Sequence, residues 1–133
     1  MTSCATVPIT ERKQLTLYPE SVLNRQAARA YEKFKSKTKL IKSGNDLNNI
    51  IYVGERIQKA VKNFFLKKNL TDPTENFSWE YILVDNKKVK NAWCMPGGKI
   101  AVFSGMLAIS KDNDGLATIL GHEIAHAVAK HSI

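Results

Sequence analysis

The stretch Trp79-Glu80-Tyr81-Ile82-Leu83-Val84, followed by Asp85-Asn86-Lys87-Lys88, decides the fold class. Here the helical spacing of the first half of the chain gives way to a run of aromatic and branched residues, which reads as a strand ending in a turn. Val89 to Met95 returns as a second strand, Pro96-Gly97-Gly98-Lys99 supplies another turn, and Ile100-Ala101-Val102-Phe103 reads as a third strand. The simplest arrangement is a three-stranded meander.

Upstream of this sheet the period is helical. Val22, Leu23, Ala27, Ala30, Tyr31 and Phe34 recur at helical spacing after Pro19 and Glu20, predicting a helix over about 19 to 37. The basic stretch Ser36 to Ser43 ends at Gly44, and Asn45 or Asp46 can cap a second helix carrying Leu47, Ile50, Ile51, Gly54, Ile57, Val61, Phe64 and Phe65. Asn69 to Phe77 reads as a loop. Beyond the sheet, Gly105 to Ile109 forms a short helix or turn, and Ser110, Asp112 or Asn113 caps a last helix with Leu116, Ile119, Leu120, Ile124, Ala127 and Val128 on its apolar side. The expected fold class is therefore α+β, with two N-terminal helices, a small three-stranded sheet and a C-terminal helix.

The 133 residues are 44% hydrophobic and 24% charged, the material of one ordinary domain, which excludes collagen-like and wholly disordered chains. Twenty Lys and Arg against 12 Asp and Glu give a net charge of +8, so phosphate, anionic lipid and acidic surfaces enter as partners. The lysine faces of the first two helices (Lys33, Lys35, Lys37, Lys39 and Lys59, Lys62, Lys67, Lys68) are read as solvated outer faces, without the exposed aromatics a base-stacking platform needs. No nucleic-acid partner is expected. No apolar run approaches the ~20 residues that cross a bilayer.

The last helix carries His122-Glu123-Ile124-Ala125-His126. Residues four apart lie about 40° apart around a helix, so both imidazoles project from one face and reach one ion at Zn–N distances near 2.0–2.1 Å. Glu123, about 100° round from His122, is placed to hydrogen-bond a water held by that ion, where hydrolysis needs a general base. Two histidines are fewer than either a structural or a catalytic zinc site requires. His131 lies about 180° from His122 on a continuous helix, and no glycine turns the chain back, so it is read as exposed, or as standing behind the metal ligands, near the helix end. Glu55, Glu80 and Asp85 are conceivable further donors. Cys94, beside Trp93, is read as a packed thiol and not as a nucleophile.

Gly121 to Ser132 around this motif, preceded by Asn91-Ala92-Trp93-Cys94-Met95-Pro96-Gly97-Gly98-Lys99-Ile100, resembles metallopeptidase family forty-eight. That family includes the CAAX prenyl proteases, the HtpX-like membrane proteases and the bacterial periplasmic lipoprotein proteases of the BepA and LoiP kind. The resemblance covers about residues 45 to 133. It implies a zincin-like fold with one Zn2+ per chain, ligands His122 and His126, catalytic base Glu123, and a third ligand, a glutamate, on a later helix beyond Ile133. Residues 19–133 are then expected to be the N-terminal portion of a zinc metallopeptidase domain, stopping before that third ligand.

The glycine turn holds the Asn91, Ala92, Trp93, Cys94 and Met95 strand close to the zinc helix, where its edge can pair with an extended substrate. The implied activity is zinc-dependent endopeptidase cleavage of unfolded or misfolded polypeptide in periplasmic quality control. The alternative is a non-proteolytic binding or chaperone-like module retaining part of the metal site, and a basic domain for lipid headgroups or nucleic acid is the second rival. Residues 1–18 are read as a tail. Met1-Thr2-Ser3-Cys4 has small polar residues before a cysteine, and Cys4 to Leu15 resembles the start of mature lipoproteins, so a lipid anchor at Cys4 and a periplasm-facing bacterial membrane are expected.

Overall fold

The computed structural model describes residues 19–132, with side chains to Ala129; the tail, Cys4 and the His131 side chain lie outside the described residues. Among the described residues, four helices and four strands follow in the order α1 (Glu20–Ser36), β1 (Leu40–Ile41), α2 (Asn45–Lys67), β2 (Glu80–Val84), β3 (Ala92–Met95), β4 (Lys99–Phe103), α3 (Ser104–Ser110) and α4 (Asn113–Ser132). The α+β class expected from sequence is observed. Among the described residues, no helix is long and apolar enough to cross a membrane.

The meander is not what forms. The sheet order is β1-β2-β4-β3, with β4 parallel to β2 and antiparallel to β3, while β1 pairs antiparallel with β2 through Leu40 opposite Val84 and Ile41 opposite Leu83. The physical reason lies in β4, whose Ile100, Ala101 and Val102 are all fully buried, so that both faces of the strand need cover. A strand apolar on both faces belongs in the middle of a sheet. The Asp85–Asn91 segment therefore does not close a hairpin; it crosses the end of β4, where Gly105 N donates to Asn86 O at 3.1 Å and Phe103 N to Asn91 O at 3.0 Å, and delivers β3 to the far edge. β1 also escaped the sequence reading, since two residues inside a basic run carry no period.

Alternation sorts the side chains into two cores. Tyr81, Leu83, Ala92, Cys94, Ile100 and Val102 face α2 and α4, meeting Ile50, Val53, Leu116, Leu120 and Ile124. Ile82, Val84, Trp93, Met95, Ala101 and Phe103 face α1, meeting Tyr31 and Phe34. Trp93 stands edge-on to both aromatic rings, with centroids 6.4 and 5.2 Å away.

The helix ends differ in detail from expectation. α2 begins at Asn45 after Gly44 at φ 114°, with no side-chain cap, so Asn45 and Asp46 sit inside its first turn. Asp112 caps α4, accepting a hydrogen bond from Gly115 N at 2.8 Å. The lysine face of α2 is not wholly a solvated polar one either: Tyr52 and Phe64 are about half exposed among those cations.

Candidate metal centre

Leu116, Leu120, Ile124 and Ala127 are buried and fix the rotation of α4 against the sheet and α2. That rotation turns His122 and His126 outward, both exposed, with ring centroids 4.4 Å apart. The rings are close enough for one nitrogen of each to reach a single ion at ~2.0–2.1 Å. Glu123 is half-buried, and on helical angles it lies between the imidazoles and the buried stripe. The helix continues unbroken to Ser132, as the absence of a turning glycine after His126 requires.

The strand beside this helix is β3, an edge strand bonded only to β4 among the described residues. Of the five residues expected to line substrate, Asn91 precedes the strand and accepts a hydrogen bond from Ala92 N through its Oδ1 at 2.8 Å. Ala92 and Cys94 point toward α4, whereas Trp93 and Met95 point to the opposite face and pack beneath α1. The structure thus brings the backbone of β3 to the histidine helix, but not the Trp93 and Met95 side chains. Burial pushes the Cys94 thiol up to about 12, with the neighbouring Glu123 carboxylate adding to the shift. A thiol so held is protonated at neutral pH, consistent with a packed residue.

Tyr81 completes this face and was missed in the sequence. It stands in one cross-strand row with Ile100 and Cys94, and its hydroxyl donates to Gln58 Oε1 on α2. Burial raises the Tyr81 pKa first, and the Glu55 and Cys94 charges add to it. A Cβ at Gly54 would run into the Tyr81 ring. The signal available was Gly54 itself, a glycine interrupting the apolar stripe of a long helix, which marks close approach of a neighbour. The Pro96-Gly97-Gly98 turn holds φ of +89° and +91° at its glycines, and its carbonyls accept hydrogen bonds from Ser78 N and Glu80 N at 2.8 and 3.0 Å, tying the β3–β4 hairpin to β2.

Two of the three other conceivable donors are occupied elsewhere. Glu80 bonds Lys35 at 2.6 Å and lies 3.8 Å from Lys99, and Asp85 pairs with Lys39 at 3.4 Å. Glu55 is exposed on α2. Among the described residues, no group of three His, Cys, Asp or Glu side chains could hold a metal ion. The two imidazoles fit part of a metal shell and leave the rest to donors outside this set.

An exposed histidine pair with an intervening glutamate, on a helix laid beside a sheet edge, is the arrangement of a metallopeptidase helix. The model of peptidase family M48 matches residues 52–133, more than half of the sequence, and the chain belongs to that family. It is 45% identical over 75 residues to the mitochondrial metalloendopeptidase OMA1 of Arabidopsis thaliana, covering 56% of this chain and 15% of that protein. It is 31% identical over 128 residues to the OMA1 enzyme of Schizosaccharomyces pombe, covering 95% of this chain and 35% of that one. Against the metalloprotease YcaL of Escherichia coli it is 32% identical over 80 residues, covering 60% and 28%. The chain thus spans about a third or less of the curated relatives it matches. Membership of this family implies a metal cofactor. The expected periplasm-facing bacterial lipoprotein is overturned: two of these three relatives, and further fungal and animal ones, are named as mitochondrial enzymes.

Proposed function

We propose that this chain is part of a zinc-dependent endopeptidase in which His122 and His126 hold one Zn2+ and Glu123 is the general base. The observation that carries the reading is the pair of exposed imidazoles with centroids 4.4 Å apart, with Glu123 turned between them and β3. Zinc, when bound, supplies Lewis-acid activation of water and carbonyl. The residues of this chain do the rest. The free edge of β3 pairs with an extended stretch of polypeptide and brings a peptide carbonyl alongside α4. The Glu123 carboxylate takes a proton from the attacking water and returns it to the departing amine, so one group serves both halves of the reaction. Unfolded or misfolded polypeptide suits this arrangement, because only a chain free of its own hydrogen bonds can add to a strand edge. The third protein ligand in this reading comes from outside the described residues.

The test uses Glu123→Gln in the whole protein. Gln keeps the size of the side chain but cannot accept the proton, so peptide cleavage falls by ~10²–10⁴-fold while bound zinc, measured by elemental analysis, is retained. His122→Ala loses both metal and cleavage. Chelator-sensitive cleavage undiminished in Glu123→Gln would refute the assignment of the base. A binding module that keeps a partial metal site, the reading favoured by the two-donor set alone, predicts no cleavage in the parent protein either.

A further inference from the structure

α2 ends in a tip that the described residues cover only on the side of Phe65, which lines a hollow with Glu20, Leu70 and Pro73. The helix begins just after β1, which pairs with Leu83 and Val84, and its middle meets Tyr81 through Gly54 and Gln58. It therefore runs antiparallel to β2, and its last turns project past Glu80, where that strand starts. Phe64 is 52% exposed, Leu66 73% and Leu70 58%. Phe64 continues the stripe of Ile57 and Val61, whereas Leu66, two residues on, is about 200° round the axis. An overhang waiting for one more packed element needs apolar residues on one side only; this tip carries them on opposite sides.

Along the helix its charge is one-signed, and the carboxylates of Glu20, Asp72 and Glu75 lie to one side, around the hollow that Phe65 and Leu70 line. Arg56, Lys59, Lys62, Lys67 and Lys68 are interrupted by no Asp or Glu between Glu55 and Asp72. Among the described residues the ion pairs join Lys35, Lys39 and Lys99 to carboxylates, and none involves the four lysines of the tip. The Lys68 ammonium instead lies 5.8 Å from the centroid of the Phe64 ring. Lysines around exposed aliphatic and aromatic groups can lay their stems along the apolar surface and lift their charges to an anionic plane.

We propose that this tip docks on the surface of an anionic lipid bilayer, with Phe64, Leu66 and Leu70 entering the boundary between headgroups and acyl chains and Lys59, Lys62, Lys67 and Lys68 meeting the lipid phosphates. The occupant is a bilayer because apolar groups on opposite sides of a helix end suit a fluid apolar layer, and because two of the three exposed apolar residues, Leu66 and Leu70, are aliphatic and leave Phe64 as a single ring where base stacking needs a row of them. The inference is independent of the peptidase reading, since it uses no residue of α4 or β3.

The experiment is co-sedimentation of the full-length protein with phosphatidylcholine vesicles, with and without phosphatidylglycerol. Binding is expected only with the anionic lipid and falls with salt. Removing two tip charges in Lys67→Gln/Lys68→Gln weakens it about tenfold or more. Leu66→Ser/Leu70→Ser, which leaves the charge unchanged, weakens it severalfold to about tenfold. Lys33→Gln/Lys37→Gln, in the last turn of α1 and just after it, removes as much charge at another place and leaves binding within about twofold; all of these side chains are exposed, so the fold is kept in each variant. No binding to the anionic vesicles would overturn the proposal, as would equal weakening by the α1 variant. So would a Leu66→Cys thiol that resists labelling in the lipid-free protein, which would mean that another stretch of protein covers the tip.

Discussion

Gly54→Ala sets two effects against each other at the contact that holds α2 to the sheet. Alanine in a helix interior is better than glycine by about 1 kcal/mol, so an isolated α2 would gain. In the folded chain the added methyl meets Cε2, Cζ and the hydroxyl of Tyr81 far inside van der Waals contact. That ring cannot step aside freely: its backbone is locked in β2, and its hydroxyl is bonded to Gln58. Overpacking of this kind costs about 1–3 kcal/mol, and displacing the hydroxyl forfeits a hydrogen bond worth about 0.5–1.5 kcal/mol. The sum is a net loss of about 1–3 kcal/mol, read from urea unfolding as a lower midpoint at constant slope. In a Tyr81→Ala background the clash is gone, and Gly54→Ala should instead stabilise by up to ~1 kcal/mol. The double-mutant cycle then reports a coupling of about 2 kcal/mol or more. Stabilisation by Gly54→Ala in the native background, or a coupling near zero, would refute the close approach of α2 to Tyr81.

Tyr31 is fully buried, and burial, then the nearby Glu80 carboxylate, raises its pKa above the ordinary 10.0. A raised folded pKa means stability fully present below about pH 10 and lost as the pH climbs toward the folded value; Tyr31→Phe should flatten that alkaline decline in denaturant titrations repeated at increasing pH. Trp93→Leu removes a ring packed on Tyr31 and Phe34 and should lower stability by about 1–3 kcal/mol by calorimetry, while on the proposed peptidase reading the KM for peptide in the whole protein stays unchanged, because the side chain faces away from α4. Asp112→Ala strips the cap of α4 and should cost about 0.5–2 kcal/mol, measured by chemical denaturation.

What could be read from sequence was local and periodic. Three of the helices, the strands around Ile82, Cys94 and Ile100 and the face shared by His122 and His126 follow from spacing within single elements, and Asp112 was among the residues expected to cap α4. What failed was pairing. Asp85-Asn86-Lys87-Lys88 has the composition of a hairpin turn, yet hairpin chemistry does not outweigh the burial of Ile100, Ala101 and Val102, and the order of strands follows the burial. That run, apolar without alternation, was visible and pointed to a central strand. The division of the Asn91–Met95 stretch into two faces was equally available from the period of two, with Trp93 and Met95 on one side and Ala92 and Cys94 on the other.

The site inherits its geometry from residues that take no part in it. Ile124 sits between Glu123 and His126 in sequence and is buried at 1% exposure, so any rotation of α4 that moved the imidazoles would have to bring Ile124 out of the core. Cys94 does the same for the strand. Because it faces inward beside Ile100, a slip of β3 by one residue would send it to the α1 face and bring Trp93 against α4, where the space now holds a thiol. The phase of the helix and the register of the edge strand are thus each set by apolar burial, and Tyr81, braced on Gln58, closes the row beneath them. Exposed histidines can be held in fixed relation to a strand edge only if the groups behind them cannot repack, and in this chain those groups are Ile124, Ile100 and Cys94.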